Sequence, residues 1–222
     1  MKTFTKTLWM SLIALSVASC KKDDLGTLGG DTDLPLTEVG NESSIYIDYD
    51  GEDVEQDLTL TVVRNDNGDV TYKVLVDFTG HPDSAFLVPL IPANLKDAQN
   101  RANFEVKLRI TSEGIQDYIN NSSKPFTLVK YDSKVGDTYT YEVDGKTLTR
   151  TVTENNGLNE WPLGFFNIKT VEVQQTTFNP VMGALVNKMK YRANHKFGLV
   201  YMEAELKNGK TMEIEIVPWF LL

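Results

Sequence analysis

Apolar and polar residues alternate along most of the chain after residue 42. The clearest case is "NFEVKLRI", residues 103–110, where apolar side chains stand at every second position with mostly charged side chains between them. This period of two is typical of a β-strand with one buried and one solvated face. Similar rows of apolar residues occur within 58–62, 72–78, 139–143, 200–206 and 212–216. The pattern predicts a mainly β protein.

Three short turns separate these rows. They are Asn67-Gly68, Asp144-Gly145 and Asn208-Gly209. Asn or Asp before Gly suits the positive φ angles of a type I′ hairpin turn, so each pair predicts a local hairpin. Hairpins of this kind favour antiparallel sheets with one solvated face. We therefore predict an antiparallel β-sandwich, and the same pattern fits two small β lobes that meet near residue 125.

One segment departs from the alternation. In "FNPVMGALVNKMKYRAN", Asn179 can cap a helix and Pro180 suits its first position. The apolar residues that would share one face of this helix are Val181, Leu185, Val186 and Met189. The segment predicts one short helix near residues 180–190. Residues 112–123 could hold one or two further helical turns.

The first nineteen residues have the layout of a secretory signal. Lys2 and Lys6 precede the apolar run "LWMSLIALSVA", which is too short to span a bilayer as a mature helix. The run ends at "VASC", which resembles the bacterial lipobox, although Val17 and Ser19 differ from the commonest residues at their positions. The resemblance implies cleavage before Cys20 and lipidation of Cys20. Each buried methylene of such a lipid contributes about 0.8 kcal/mol to anchoring.

The residues after the cysteine indicate where in the cell the protein is located. They are Lys21, Lys22, Asp23 and Asp24. "CKKDD" resembles the export signal of Bacteroidetes surface lipoproteins, and this resemblance implies an outer-membrane protein that faces the cell exterior. The alternative is a charged start to a linker, with the protein facing the periplasm.

Composition predicts how the chain is divided into segments and which class of partner is disfavoured. We expect a lipoprotein signal peptide at 1–19, a flexible tether at 20–42 and a β-rich domain at 43–222. Removing residues 1–19 takes away two lysines and no acid, which moves the formal charge from -9 to -11. An acidic chain without a basic cluster repels phosphate backbones, which argues against nucleic-acid binding.

Candidate catalytic or metal chemistry is sparse. The histidines are His81 and His195, and no paired spacing of zinc ligands accompanies them. The acidic stretch "DYDGED", residues 48–53, does not fit the EF-hand spacing, so calcium binding there remains an alternative to a solvated loop. We predict no cofactor, no metal site and no enzymatic activity.

The most notable binding candidates are three aromatic residues in "NNGLNEWPLGFFN": Trp161, Phe165 and Phe166. Aromatic side chains exposed on a loop can stack on sugar rings. The alternative is that this loop folds back and caps the sheet.

These observations favour a non-enzymatic surface lipoprotein that binds a glycan or a protein, or takes part in a surface assembly. The middle and C-terminal segments resemble uncharacterised Bacteroidetes lipoproteins, which implies no activity. A polysaccharide hydrolase with paired carboxylates is one alternative. A fimbrial subunit is another, although the first arginine, Arg64, lies within a predicted strand rather than in an exposed cleavage site.

Overall fold

The computed structural model describes residues 26–54, 58–78, 84–85, 88, 91, 95–155 and 160–218. The predicted lipid-attachment and export residues lie outside this part of the chain: Cys20, Lys21, Lys22, Asp23 and Asp24. In the described part, no helix is long and apolar enough to cross a bilayer.

The described elements are almost all strands. They are β1 (Glu42–Tyr49), β2 (Glu52–Asp53), β3 (Leu58–Asp66), β4 (Asp69–Val76), β5 (Ala102–Thr111), β6 (Gly114–Asp117), β7 (Phe126–Lys130), β8 (Thr138–Val143), β9 (Lys146–Glu154), β10 (Glu160–Leu163), β11 (Phe166–Lys169), β12 (Val171–Gln175), β13 (Val186–Asn194), β14 (Gly198–Leu206) and β15 (Thr211–Pro218). The helical elements are a 3-10 turn at Pro35–Thr37 and the helix α1 (Pro180–Leu185).

Twelve strands form one antiparallel sheet in the order β7-β6-β5-β4-β3-β1-β15-β14-β13-β12-β9-β8, and β2 pairs with β1. The end strands β7 and β8 approach each other, so the sheet is nearly closed into a barrel. The prediction of a mainly β, antiparallel protein with one short helix is confirmed. The predictions of a sandwich and of two lobes are wrong, because one continuous sheet curves round on itself.

Side chains bridge the gap between β7 and β8, which do not pair as neighbours in the sheet. The backbone N–H of Lys130 donates to Tyr139 Oη at 3.2 Å, and Tyr141 Oη donates to the carbonyl of Lys124 at 3.2 Å. Arg150 Nη1 donates to the carbonyl of Thr127 at 3.0 Å. These bonds supply partners to backbone groups that a strand ladder would otherwise satisfy.

Arg150 is the centre of this closure. Its neighbours along β9, Leu148 and Val152, point into the core, and the alternation places Arg150 there too. The guanidinium lies 2.7 Å from the carboxylate of Asp117, and the two side chains are 2% and 1% exposed. Its Nε donates to Gln175 Oε1 at 2.7 Å. Because the pair is buried, removing one partner leaves a charge without compensation, which typically costs about 3–5 kcal/mol.

The inside of the curved sheet holds the main core in two apolar clusters. The predicted rows of alternating residues supply its buried members, such as Val62, Tyr72 and Ile110. The second cluster includes Ile45, Val74 and Phe78. A row of alternating residues therefore marked one inward face of the sheet, as expected for period-two patterning.

Two of the three predicted turns have the expected geometry. Asn67 and Gly68 have φ values of 53° and 89°, and Asp144 and Gly145 have 50° and 72°, as a type I′ turn requires. The third differs, since only Gly209 is left-handed there and the connection between β14 and β15 spans residues 207–210. The amide of Leu206 donates to the carbonyl of Lys210 at 2.8 Å and closes this longer loop.

The helix starts as predicted and ends early. Asn179 Oδ1 accepts a hydrogen bond from the Met182 amide at 2.9 Å, so Asn179 is the N-cap. Val186 already begins β13, so the predicted continuation through Val186 and Met189 is wrong. The helical prediction for 112–123 is also wrong, because residues 114–117 form β6, which pairs with β5 and β7, and the rest of the range contains no helix.

Residues 26–41, which we call the N-terminal segment, correct part of the tether prediction. They pack against one end of the sheet. Thr37 is fully buried, and Asn65 Nδ2 donates to its hydroxyl at 3.0 Å. The amide of Gly40 donates to the carbonyl of Val62 at 2.8 Å. The part of the predicted tether from residue 26 onwards is therefore fixed to the domain.

Candidate functional site

A β-bulge in β14 creates a second apolar surface on the outside of the sheet. Arg192 pairs with Tyr201, whereas the next residue, Ala193, pairs with Leu199. Val200 is therefore an extra residue in its strand, and both Val200 and Tyr201 turn outward. The inward alternation predicted for Val200 is thus interrupted at this bulge.

The β10–β11 hairpin covers this outer surface. Leu163 is fully buried and Ile168 is 7% exposed, and both pack with Val200 of β14. Phe197 and Val217 complete the outer cluster. The base of the hairpin is therefore anchored by apolar burial that is separate from the main core.

Trp161 lies at the edge of this outer cluster. Its ring centroid is 4.6 Å from that of Tyr201, and the guanidinium carbon of Arg192 lies 4.5 Å from the Trp161 ring centroid. Its indole Nε1 is buried without a hydrogen-bond partner in the described part of the chain. Trp161 is thus engaged by contacts within the protein, as a loop folded back on the sheet would place it.

Phe165 and Phe166 stand at the tip of the hairpin. Gly164 has a φ of 57° while Phe165 stays at negative φ, as in a two-residue type II′ turn with glycine first. This turn leaves the Phe165 side chain 97% exposed. Phe166 is 43% exposed, and its ring lies 5.8 Å from that of Phe197. The three predicted aromatics therefore share one hairpin but have different environments.

Charged residues surround the hairpin on the outer face of the sheet. Arg192 contacts the carboxylates of Glu154, at 2.8 Å, and Glu172. Lys190 lies 2.9 Å from Glu203, and the hydrogen bond between them raises the pKa of Lys190. These ion pairs tie β9, β12, β13 and β14 together beside Trp161.

Two carboxylates share the phenol of Tyr201. Tyr201 Oη donates to Glu213 Oε2 at 2.8 Å and lies 3.3 Å from Glu203 Oε2, so these two oxygens are at most 6.1 Å apart. Burial, together with the hydrogen bond to Glu213, raises the pKa of Tyr201. Burial also raises the pKa of Glu215, which pairs with Tyr201 across the strands.

The remaining candidates lie elsewhere. His195 is exposed, with its ring centroid 6.4 Å from that of Tyr131, and His81 lies outside the described residues. In the acidic stretch, Asp48 Oδ1 accepts from the Gly51 amide at 2.7 Å, which stabilises the turn between β1 and β2. Within the described ranges, no group of three or more His, Cys, Asp or Glu side chains could hold a metal ion.

The sequence does not indicate which residues of the sheet contact and support the β10–β11 hairpin. Tyr201 and Arg192 stand within alternating strands, where their identities suggest a solvated face. The bulge brings Val200 to the outer face beside Tyr201, and the sequence carries no turn residue at that position to signal it.

No protein-family model and no curated protein matches this chain. Among solved structures, a Bacteroides fragilis protein described as exported and as having a YmcC-like fold aligns with a TM-score of 0.42 at 9% identity. The alignment covers 81% of this chain and 95% of that chain. So distant a likeness transfers no function to this chain.

Proposed function

We propose that this chain is a lipid-anchored, non-enzymatic binding module of the outer membrane that presents the tip of the β10–β11 hairpin to a protein partner. The observation that carries the proposal is Phe165, which is 97% exposed at a turn whose base is buried. Burying a side chain of this size contributes about 1.5–3 kcal/mol, which a partner with a matching pocket would gain. The lipid anchor is inferred from Cys20 and its lipobox-like context.

The rigid mounting of Phe165 supports a role in binding. The tip joins directly to Leu163, which is fully buried, and Asn194 Nδ2 donates to the carbonyl of Lys169 at 2.7 Å at the hairpin's other end. An aromatic side chain held by a preorganised turn loses little conformational freedom on binding. Exposed aromatic residues on such supports frequently dominate the energy of protein interfaces.

A protein partner suits this tip better than a glycan does. The residue best suited to stacking on a sugar ring is Trp161, and its ring is engaged by Tyr201 and Arg192. Phe165 is a single projecting side chain rather than a platform of aromatic rings. Such a projection fits an apolar pocket in another protein.

The carboxylates near the hairpin support a structural role rather than hydrolysis. A glycosidase needs two acids that flank a substrate bond in a cleft. Glu203 is paired with Lys190, and both Glu203 and Glu213 are held by Tyr201 on the outer face of the sheet. These contacts stabilise the outer wall that supports the hairpin.

The binding proposal is tested by the size of the native assembly. The anchored protein is extracted from its own cells in mild detergent and separated on a native gel, as wild type, Phe165→Ser and Val135→Ser. Val135 is 60% exposed and serves as the matched control. We expect the wild type and V135S to migrate in one larger complex and F165S to migrate alone. Equal migration of all three would contradict the proposal, and a regular ladder of sizes would favour a fimbrial subunit.

The predicted location on the cell surface is tested separately. Changing Lys22, Asp23 and Asp24 together to Ala should retain the anchor but leave the protein facing the periplasm. Protease added to intact cells should then cut the wild type and spare the variant. Equal cleavage of both would contradict the predicted address.

A further inference from the structure

The N-terminal segment fixes where the chain leaves the domain. Gln116 Nε2 donates to the carbonyl of Gly26 at 3.2 Å, and Gln116 Oε1 accepts from the Leu28 amide at 2.8 Å. Arg109 Nε donates to the carbonyl of Leu28 at 3.0 Å. Residue 26 is therefore held on the outer wall formed by β5 and β6.

Cys20 stands six positions before Gly26 in the sequence. A fully extended chain spans at most about 3.3–3.6 Å per residue, so Cys20 lies within about 20 Å of Gly26. A free tether reaching residue 42 would have allowed about 75 Å by the same measure. If the lipid is carried by Cys20, the lipid surface must therefore lie close to the wall of β5 and β6.

An exposed apolar patch begins in the loop that follows β6 and continues on α1. It consists of Ile119, Val181 and Leu185, which are 61%, 72% and 49% exposed. Ile119 follows β6 by two residues, and its amide donates to Asp117 Oδ1 at 3.1 Å. The loop that carries Ile119 is joined to the start of α1, because Asn179 Nδ2 donates to Asn120 Oδ1 at 2.9 Å.

The charge around the apolar patch suits a lipid surface. Residues 118–125 and 176–190 contain no acid, although the whole chain has a formal charge of -9. Lys124 is exposed in the same loop as Ile119, and the exposed Lys207 donates its backbone N–H to the carbonyl of Leu185 at 2.9 Å. Basic residues near an anionic lipid surface contribute about 1 kcal/mol each.

We propose that the apolar patch of Ile119, Val181 and Leu185 rests on the lipid surface in which Cys20 is anchored. This inference depends on the lipid anchor of the proposed function. It also orients the molecule along β14, because Leu185 is bonded to Lys207 just after the end of that strand, whereas the hairpin packs on Val200 and Tyr201 near its start. Phe165 then lies towards the end of β14 that is remote from the lipid.

The test uses the anchored protein with one added cysteine, since acylation consumes the thiol of Cys20. Val181→Cys and Phe165→Cys are each labelled with the fluorophore NBD. The labelled proteins are placed on vesicles of phosphatidylethanolamine and phosphatidylglycerol that carry a nitroxide on a lipid headgroup. The two positions are matched, because both are apolar and largely exposed in the structure.

We expect the label at 181 to be quenched severalfold more than the label at 165 and to emit at shorter wavelength. Equal quenching at both positions, on protein that floats with the vesicles, would overturn the inference and leave the anchor intact. Protein that does not float with the vesicles would contradict the anchor and the inference together. The two failures are therefore distinguishable.

Discussion

Two segments pack against the sheet without joining its strand order, and they are held by different contacts. Residues 26–32 of the N-terminal segment are attached mainly by hydrogen bonds to side chains such as Gln116 and Ser112, whereas Leu34 and Leu36 further along pack partly against the main core. The β10–β11 hairpin is attached by apolar burial of Leu163 and Ile168. Neither segment belongs to the twelve-strand sheet. The hairpin carries the proposed partner site, and the N-terminal segment determines how close the proposed lipid anchor lies to the domain.

The difference predicts how each segment responds to perturbation. A hydrogen bond exchanged with water contributes about 0.5–1.5 kcal/mol net, so residues 26–32 can open locally at small cost. Removing a buried apolar side chain costs several times more, so the hairpin should unfold together with the sheet beneath it. The anchor side of the molecule is thus the adaptable one, and the hairpin side is the rigid one.

The largest effect is expected at the base of the hairpin. Leu163→Ala removes a fully buried side chain from the outer cluster, so the free energy of unfolding should fall by about 2–5 kcal/mol. Chemical denaturation followed by circular dichroism measures this change. The control is Leu185→Ala, where a half-exposed leucine in α1 should cost about 0.5 kcal/mol or less. Similar losses in both variants would mean that the outer cluster is not a core.

A smaller effect is expected for the N-terminal segment. Gln116→Ala removes the partner of both Gly26 and Leu28, and its free energy of unfolding should fall by about 1–2 kcal/mol. Hydrogen exchange should show faster exchange at the Leu28 amide. Gln99, which is exposed, provides the control Gln99→Ala. Unchanged exchange at Leu28 in the Gln116 variant would contradict the assigned attachment.

The attachment of the N-terminal segment should also weaken at low pH. Burial opposes ionisation of Asp69, but hydrogen bonds from Lys107 and Tyr118 prevail and hold its pKa below the usual 3.8. The stability that this lowered pKa contributes is fully present above pH 3.8. It is lost as the pH falls through the pKa that Asp69 has in the folded protein. Asp69 also contacts Arg109, which binds Leu28.

Asp69→Asn should therefore lower the unfolding temperature slightly at neutral pH and reduce its decline in acid. The effect is measured from unfolding temperatures recorded between neutral pH and pH values below 3.8. Asp66→Asn is the control, because its ion pair with Arg64 is exposed and should contribute little. Parallel declines in wild type and D69N would contradict the role of Asp69.

The smallest effect on stability is expected at the hairpin tip. Phe165→Ser removes a side chain that is already in water, so the free energy of unfolding should change by no more than about 0.5 kcal/mol. Thermal unfolding by circular dichroism measures it. A clear loss of stability would show that Phe165 packs against the protein and is not free to bind a partner.

The strands themselves were predictable because burial imposes a period of two. The row from Phe104 to Ile110 and the turns at Asn67 and Asp144 needed only local patterning and the preference of Asn-Gly and Asp-Gly for positive φ. The helix cap at Asn179 is equally local. These features depend on neighbours in the sequence.

Closure of the sheet was not predictable, because it depends on contacts between distant strands. Arg150 stands in "TLTRTV", where the alternation places it on the inward face, but no local pattern identifies its buried partner Asp117. The Gly, Asp and Thr residues of the N-terminal segment show no periodicity, so the sequence predicts a tether there, although parts of it bind the sheet through single hydrogen bonds. The aromatic residues of the candidate site can be identified from the sequence, whereas the bulge that adds Val200 to the outer cluster beneath their hairpin cannot.

The most direct test of the central claim is site-specific crosslinking on living cells. A photoreactive benzoylphenylalanine replaces Phe165 in one strain and Val135 in another, and the cells are irradiated intact. The account predicts one discrete protein adduct from position 165 and none from position 135. Adducts of equal intensity at both positions, or none at position 165, would contradict the claim that the hairpin tip binds a protein partner.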